Sequence, residues 1–351
     1  MLNFYHYSTR EERKRNNPNY KKEMNMNMWN RTKFVLVSIW AALICFAPIS
    51  AISAEKVLKV AIIAPSASND LAFTQSIVDG MAVIQQQRKI DLAITDGTFI
   101  VEDAAAAIRD YAQKGYDLVI AHGSQYGGSL KEIAKDFPKT AFAWGTSADT
   151  FGLPNISSYE AASEEGGYVM GKMAAAMSKK GSVGVVGPIE VGDAKLYVDG
   201  FVAGAKAQND AIKANVNYIG SFSDVALAAE AARAHMAVGA DVLTGTAQMV
   251  VGAVGAARSK KVAWFGTQAN QKELAPEIVV ACQVYKWEVI LKQILADMDN
   301  GVLGGKKYAI TLANDGLVIE FNDAYKLPAS VKEIGMQAVA DIKEGKINVL
   351  H

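Results

Sequence analysis

The chain has 351 residues, 36 Lys/Arg against 36 Asp/Glu, half of it hydrophobic and 21% charged. That is globular composition, long enough for two domains of ordinary size. The first 54 residues hold 8 of the basic and 3 of the acidic residues, leaving 28 and 33, so the remainder sits near −5 and lacks the basic footprint of a nucleic-acid binder.

The first feature in chain order is a leader. Residues 1–27 are polar and charged and read as an upstream extension, with Met24, Met26 and Met28 as internal starts. Arg31 and Lys33 then precede an apolar core from Phe34 to about Ala47 and small residues before Glu55. This is the pattern of a secretory signal peptide cut near Ser53 or Ala54, so residues 1–54 are set apart from the fold and the mature chain is expected in the periplasm. The apolar core is shorter than the ~20 residues of a spanning helix and is broken by Pro48. Cys45 follows Ile44 rather than the small residue that lipidation requires. Cleavage leaves Cys282 alone in "IVVACQV", where it reads as a buried thiol without a disulfide partner.

From Val57 the chain alternates. "VLKVAIIAP" reads as a buried strand, and "DLAFTQSIVDGMAVIQQQ" as an amphipathic helix with Phe73, Ile77, Met81 and Ile84 on one face. "DLAIT" is a strand and "VEDAAAAIRDYAQKG" a helix closed by Gly115. "YDLVIAHG" is a strand, and Ser129 with Glu132 predicts a capping box opening the next helix. Strand "TAFAWG", the piece "ISSY" and a long helix "EEGGYVMGKMAAAMSKK" follow, its Glu164 and Glu165 suiting the helix dipole. Strands "SVGVVGP", "VNYIGSF", "ADVLTGT" and "VAWFGT" then alternate with three more helices. After Thr267 come a strand through Cys282, a helix, two strand-like pieces and a final amphipathic helix. Such alternation predicts parallel sheets covered by helices.

One unit occurs twice. "RDYAQKGYDLVIAHG" over 109–123 and "RAHMAVGADVLTGTA" over 233–247 share an Arg, a helix-ending Gly and an Asp two residues later, 124 residues apart. That separation exceeds a solenoid repeat and fits two similar α/β lobes. Ligands of open parallel sheets lie outside the C-terminal strand ends, so two such lobes frame a cleft.

The chain has no nucleophile elbow, zinc-protease motif, P-loop or dinucleotide fingerprint, its four His lack ligand spacing, and no cofactor is expected. The segments after the strands instead carry aromatic and amide groups. "SASNDLAFTQ" offers Asn69, Asp70, Phe73 and Thr74, and "HGSQYGG" offers Gln125 and Tyr126. The second half offers Phe222, Gln248 and "WFGTQANQ", and "YKW" offers Lys286 and Trp287. Flat rings flanked by amides suit a planar, hydrogen-bonding ligand.

At these residues the sequence resembles the basic membrane protein family, the purine-nucleoside-type substrate-binding proteins of ABC transporters. The resemblance covers 56–351, through "NDLAFTQSIVDGM", "YDLVIAHGSQYGGSLKEIAKDFPKTAFAW", "SSYEAASEEGGYVMGKMAA", "VGVVGPIEV", "DGFVAGAKAQN", "GSFSD" and "LPASVKEIGMQAVADIKEGKI". It implies a type I periplasmic binding protein fold of two Rossmann-like lobes with three crossover strands. On that pattern the first lobe takes 55–157 with about 268–310, and the second takes 158–267 with about 311–351. It implies no enzymatic activity, a monomer, and an ABC permease as partner.

Carried onto this chain, the resemblance makes Phe73 a stacking ring, with Tyr126 or Trp287 beside it. Asp70, Gln248, Gln268 and Lys286 are implied to bind the ligand's polar edge. Two departures stand out. Thr74 replaces the family's usual Asn, and Gln268 and Asn270 replace both acids of its G-V-D-x-D-Q motif, leaving Lys286 without those partners. The ligand implied is a purine nucleoside, with a free nucleobase or other heterocycle as the alternative that the amides favour. A second alternative is a module presenting its ligand to a membrane receptor.

Overall fold

Two runs of five strands pair in the same spatial order. The structure is a computed structural model that describes residues 57–350 and Asn19. The expected leader, with Cys45 and the cleavage point, lies outside the described residues. β1 (Leu58–Ile63), β2 (Ile90–Thr95), β3 (Leu118–His122), β4 (Ala141–Gly145) and β5 (Ile156–Ala161) lie in the order β2-β1-β3-β4-β5, all parallel. β6 (Ser182–Gly187), β7 (Lys213–Tyr218), β8 (Val242–Gly245), β9 (Ala263–Gln268) and β10 (Val279–Tyr285) repeat it as β7-β6-β8-β9-β10. β11 (Lys307–Ile310) extends the first sheet in parallel, and β12 (Leu317–Phe321) closes the second antiparallel. Every residue of β3, β4, β8, β9 and β10 is buried, which is why these strands read as predominantly apolar runs rather than alternating ones.

The helices are α1 (Phe73–Gln85), α2 (Val101–Gln113), α3 (Gly127–Asp136), α4 (Ser163–Met177), α5 (Gly192–Gln208), α6 (Val225–Ala237), α7 (Val250–Ser259), α8 (Glu288–Asp299) and α9 (Ala329–Lys343). The expected capping box at Ser129 is absent. α3 starts two residues earlier from a 3₁₀ turn, Ser124–Tyr126, and its N-cap makes no side-chain bond.

The repeated unit occupies the same place in each lobe. Gly115 and Gly239 end their helices at φ +72° and +101°, a region open to glycine without Cβ strain. Asp117 N donates to Lys59 O at 2.9 Å, and Asp241 N donates to Ser182 O at 3.1 Å. In both lobes, therefore, the residue before the third strand is tied to the start of the first.

The chain changes sheet after Ala161, after Tyr285 and between Ile310 and Leu317. The first two crossings differ from those expected near 158 and 268. "ISSYEA", residues 156–161, pairs with both β4 and β11 and stays in the first sheet. Residues 279–285 pair with β9 and stay in the second. Strand neighbours, not local composition, decide membership.

α4 follows the first crossing and packs on α5 at nearly backbone contact. A Cβ on Gly171 would lie 2.0 Å from Phe201 O, and one on Gly204 would lie 2.0 Å from Tyr168 O. This contact sets where the N-terminus of α5 enters the cleft.

Candidate functional site

The cleft between the lobes is best built outward from Phe73, the first residue of α1. Asp70 shapes the turn before it. Its carboxylate accepts from Ala72 N at 2.9 Å, Gln75 N at 3.0 Å, Thr74 N at 3.1 Å and Ser66 Oγ at 2.6 Å. The three backbone donors are N–H groups at the start of the helix, which has no intrahelical acceptors for them. Thr74 is fully buried, with its hydroxyl 2.7 Å from Ser66 Oγ. Asp70 and Thr74 are thus engaged by the protein itself, while Asn69 is exposed beside them and outside the lining of the cavity. Phe73 faces the cleft.

The Phe73 ring lies flat on His122, centroids 4.0 Å apart and planes 17° apart. His122 Nε2 is 3.2 Å from Phe73 O, and Nδ1 is 2.8 Å from the Tyr159 hydroxyl. A carbonyl only accepts, so Nε2 carries the proton and Nδ1 accepts from Tyr159. Burial pushes the His122 pKa down to about 3, and the ring is neutral. Trp287 closes the stack from behind. It is fully buried, edge-on to His122, Tyr159 and Tyr285, and donates Nε1–H to Ser76 Oγ at 2.9 Å. It therefore supports the shelf rather than stacking on a ligand. Tyr126 is also fully buried, donating its hydroxyl to Thr98 O at 2.8 Å inside the first lobe.

Five of the expected residues, Phe73, Gln125, Phe222, Gln248 and Gln268, do line one cavity between the lobes, with about 430 Å³ of space outside atoms, partly open to solvent. Ala247 and Gln268 line it with φ of +71° and +73°, in the left-handed region that non-glycine residues seldom occupy. Such strain gathers where a site holds its shape at a cost.

Asn270 and Lys286 lie in a neighbouring cavity, which Gln268 also borders. Lys286 is not left without a partner: Nζ lies 3.1 Å from Glu320 Oε1, and Asn270 Nδ2 donates to Glu320 Oε2 at 2.7 Å. The acid missing from the loop after β9 is supplied by β12, fifty residues further on.

The cavity also takes residues that the sequence reading passed over. Phe99, Gly123 and Thr146 line it from the first lobe, and Val191 and Asp193 from the second. Asp193 is 7% exposed, in the first turn of α5, where the helix dipole favours its charge. Its Oδ1 accepts from Thr146 Oγ1 at 3.1 Å across the cleft, and Oδ2 from the Tyr285 hydroxyl at 3.5 Å. Burial nonetheless pushes its carboxyl up to about 6. The duplication held a signal for it. α5 follows β6 as α1 follows β1, so the first turn of α5, with Asp193, enters the cleft as the first turn of α1, with Phe73, does.

A family model described as ABC transporter substrate-binding protein PnrA-like matches residues 57–350. Over 262 residues, 74% of this chain and 73% of the relative, the sequence is 27% identical to a purine-binding protein of Brucella abortus. Over 264 residues, 75% and 81% of the two chains, it is 26% identical to the transcriptional activator protein med of Bacillus subtilis. The structure of an ABC transporter solute-binding protein from Conexibacter woesei superposes with a TM-score of 0.69 at 24% identity, covering 83% of this chain and 98% of that one.

Proposed function

This chain belongs to the PnrA-like family of ABC transporter substrate-binding proteins, and from that premise we propose that it captures a purine, as free base or nucleoside, and delivers it to an ABC permease. Members of this family bind solutes and catalyse no reaction. The observation that carries the ligand class is the shelf: a phenyl ring held flat by a buried, neutral His122 at the mouth of an interlobe cavity. A flat ring on Phe73 gains stacking without needing a charge. Gln125 from the first lobe and Gln248 and Gln268 from the second offer both donors and acceptors to its edges. The purine-binding name of the Brucella abortus relative supports the same ligand class.

Function follows from bridging. A ligand that touches both lobes binds the closed form better than the open one, so it shifts the population toward closure. The permease then reads the closed form. The chain's work lies outside the cytoplasmic membrane, and no helix among the described residues is long and apolar enough to cross one.

A thermal-shift screen of adenine, guanine, hypoxanthine, adenosine, guanosine, inosine and unrelated heterocycles tests the reading. Purines or their nucleosides raise the midpoint if it holds. Shifts by bases alone identify a nucleobase carrier. Shifts only by other heterocycles, or by none of the panel, refute it. The likeness to a transcriptional activator favours a second readout of the same cleft, presentation to a signalling partner. Ligand-dependent stimulation of a cognate permease's ATPase separates the two.

A further inference from the structure

Selectivity within the cleft rests on the purine reading and deepens it. Two acceptors of the second lobe line the cavity with hydrogen-bonding capacity to spare. The Asp193 carboxylate has two long side-chain contacts, 3.1 Å to Thr146 Oγ1 and 3.5 Å to the Tyr285 hydroxyl. A hydroxyl on a carboxylate normally sits at about 2.5–2.7 Å. Gln268 is 2% exposed, and its Oε1 is buried with no hydrogen-bond partner among the described residues. Buried acceptors are ordinarily satisfied. Lys286, the nearby cation that would serve either, is engaged by Glu320 in the adjoining cavity.

The two lobes are therefore chemically unlike across the cavity. The first presents the face of Phe73 with Gln125 beside it, and the second presents the partnerless Gln268 Oε1 and the Asp193 carboxylate, whose hydroxyl contacts are long, with Gln248 beside them. We infer that the cleft selects its ligand by a hydrogen-bond-donating edge: a flat ring resting on Phe73 turns an amino group toward Asp193 and Gln268. A ring that puts an acceptor at that edge leaves three acceptors facing one another and is rejected. Because the shelf belongs to one lobe and the acceptors to the other, the contact that selects is also the one that closes. The charge persists at neutral pH, since burial raises the Asp193 carboxyl only to about 6.

The test measures dissociation constants of purified protein for two pairs that differ by one amino group: adenine with unsubstituted purine, and guanine with hypoxanthine. In at least one pair the amino member binds tenfold or more tightly. Asp193→Leu removes both oxygens while keeping the branched shape, and cuts that preference below threefold. Gln268→Met, a second variant that keeps the question open to test should the first fold poorly, lowers it at least threefold. An amino preference that survives both substitutions, or no preference in either pair, overturns the inference and leaves the purine reading standing. If no purine or nucleoside binds, the purine reading falls, and the donor-edge inference is judged on benzamidine against benzoate. Benzamidine binding abolished by Asp193→Leu supports it; benzoate binding, or neither, overturns it.

Discussion

Thr146 and Asp193 meet across the cleft: the hydroxyl after β4 of the first lobe donates to the carboxylate in the first turn of α5 of the second, at 3.1 Å. The contact ties the two lobes together across the cleft. Hydrogen bonds to a charged group contribute about 1.5–3 kcal/mol. Thr146→Val is therefore expected to weaken every ligand by a similar factor, roughly tenfold, by disfavouring closure, while any preference among ligands survives. Calorimetric titration with an amino and a non-amino purine measures both quantities.

Phe73 is the shelf. Stacking of a base on an aromatic ring is worth about 1–3 kcal/mol. Phe73→Leu keeps an apolar side chain on α1 and loses the flat face. A tenfold or greater loss of purine affinity is expected, with the apo melting midpoint changed by only a few degrees. A variant that binds as tightly as the parent would remove Phe73 from the site.

The pH dependence has two opposite signs. The Asp193 carboxyl rises from its ordinary 3.8 to about 6. The folded state thus holds the proton more tightly, so this group's contribution to stability is present below 3.8 and is lost as pH rises through about 6. Binding of a donor edge needs the ionised form and improves over the same interval. Affinity is expected to be about tenfold weaker at pH 5 than at pH 7.5, the factor set by the ionised fraction. Burial also raises Glu164, to about 7, so the Asp193→Leu variant is the control: its affinity changes less over that range. Isothermal titration across the range reads the difference.

Asp70 is expected to matter for folding before binding. Its carboxylate satisfies three N–H groups around the start of α1 and one hydroxyl. Asp70→Ala is expected to cost about 1–2 kcal/mol of stability, as loss of a helix cap does. Urea unfolding gives the stability. Affinity is expected to follow only as far as Phe73 is displaced, so a collapse of binding with unchanged stability would assign Asp70 to the ligand.

The packing of α4 on α5 has no slack. A methyl on Gly171 would meet the Phe201 carbonyl oxygen at 2.0 Å, and backbone cannot rotate aside. Gly171→Ala is expected to destabilise by about 3 kcal/mol, at the upper end of overpacking costs. Because α5 carries Asp193, the variant should also blunt ligand selectivity. Thermal melts report the stability, and paired titrations with adenine and unsubstituted purine report the selectivity.

The alternation of strand and helix was legible in the sequence, and so was the repeated helix–Gly–Asp–strand unit, because buried parallel strands are predominantly apolar and each Gly turn has a local cause. Phe73, Gln125, Phe222, Gln248 and Gln268 follow from the same logic, since segments after parallel strands face the cleft. What only the tertiary structure decided is how polar groups pair. Asp70 turned inward to its own helix, Lys286 found Glu320 on a strand 34 residues away, and Asp193 met Thr146 from the other lobe. Tyr126 and Trp287 carry the same aromatic signal as Phe73, yet their hydroxyl and indole N–H found partners in the core. Periodicity reports which face of an element is apolar. The partner of a buried hydrogen-bonding group comes from wherever the chain returns, and in this protein it returns across two lobes.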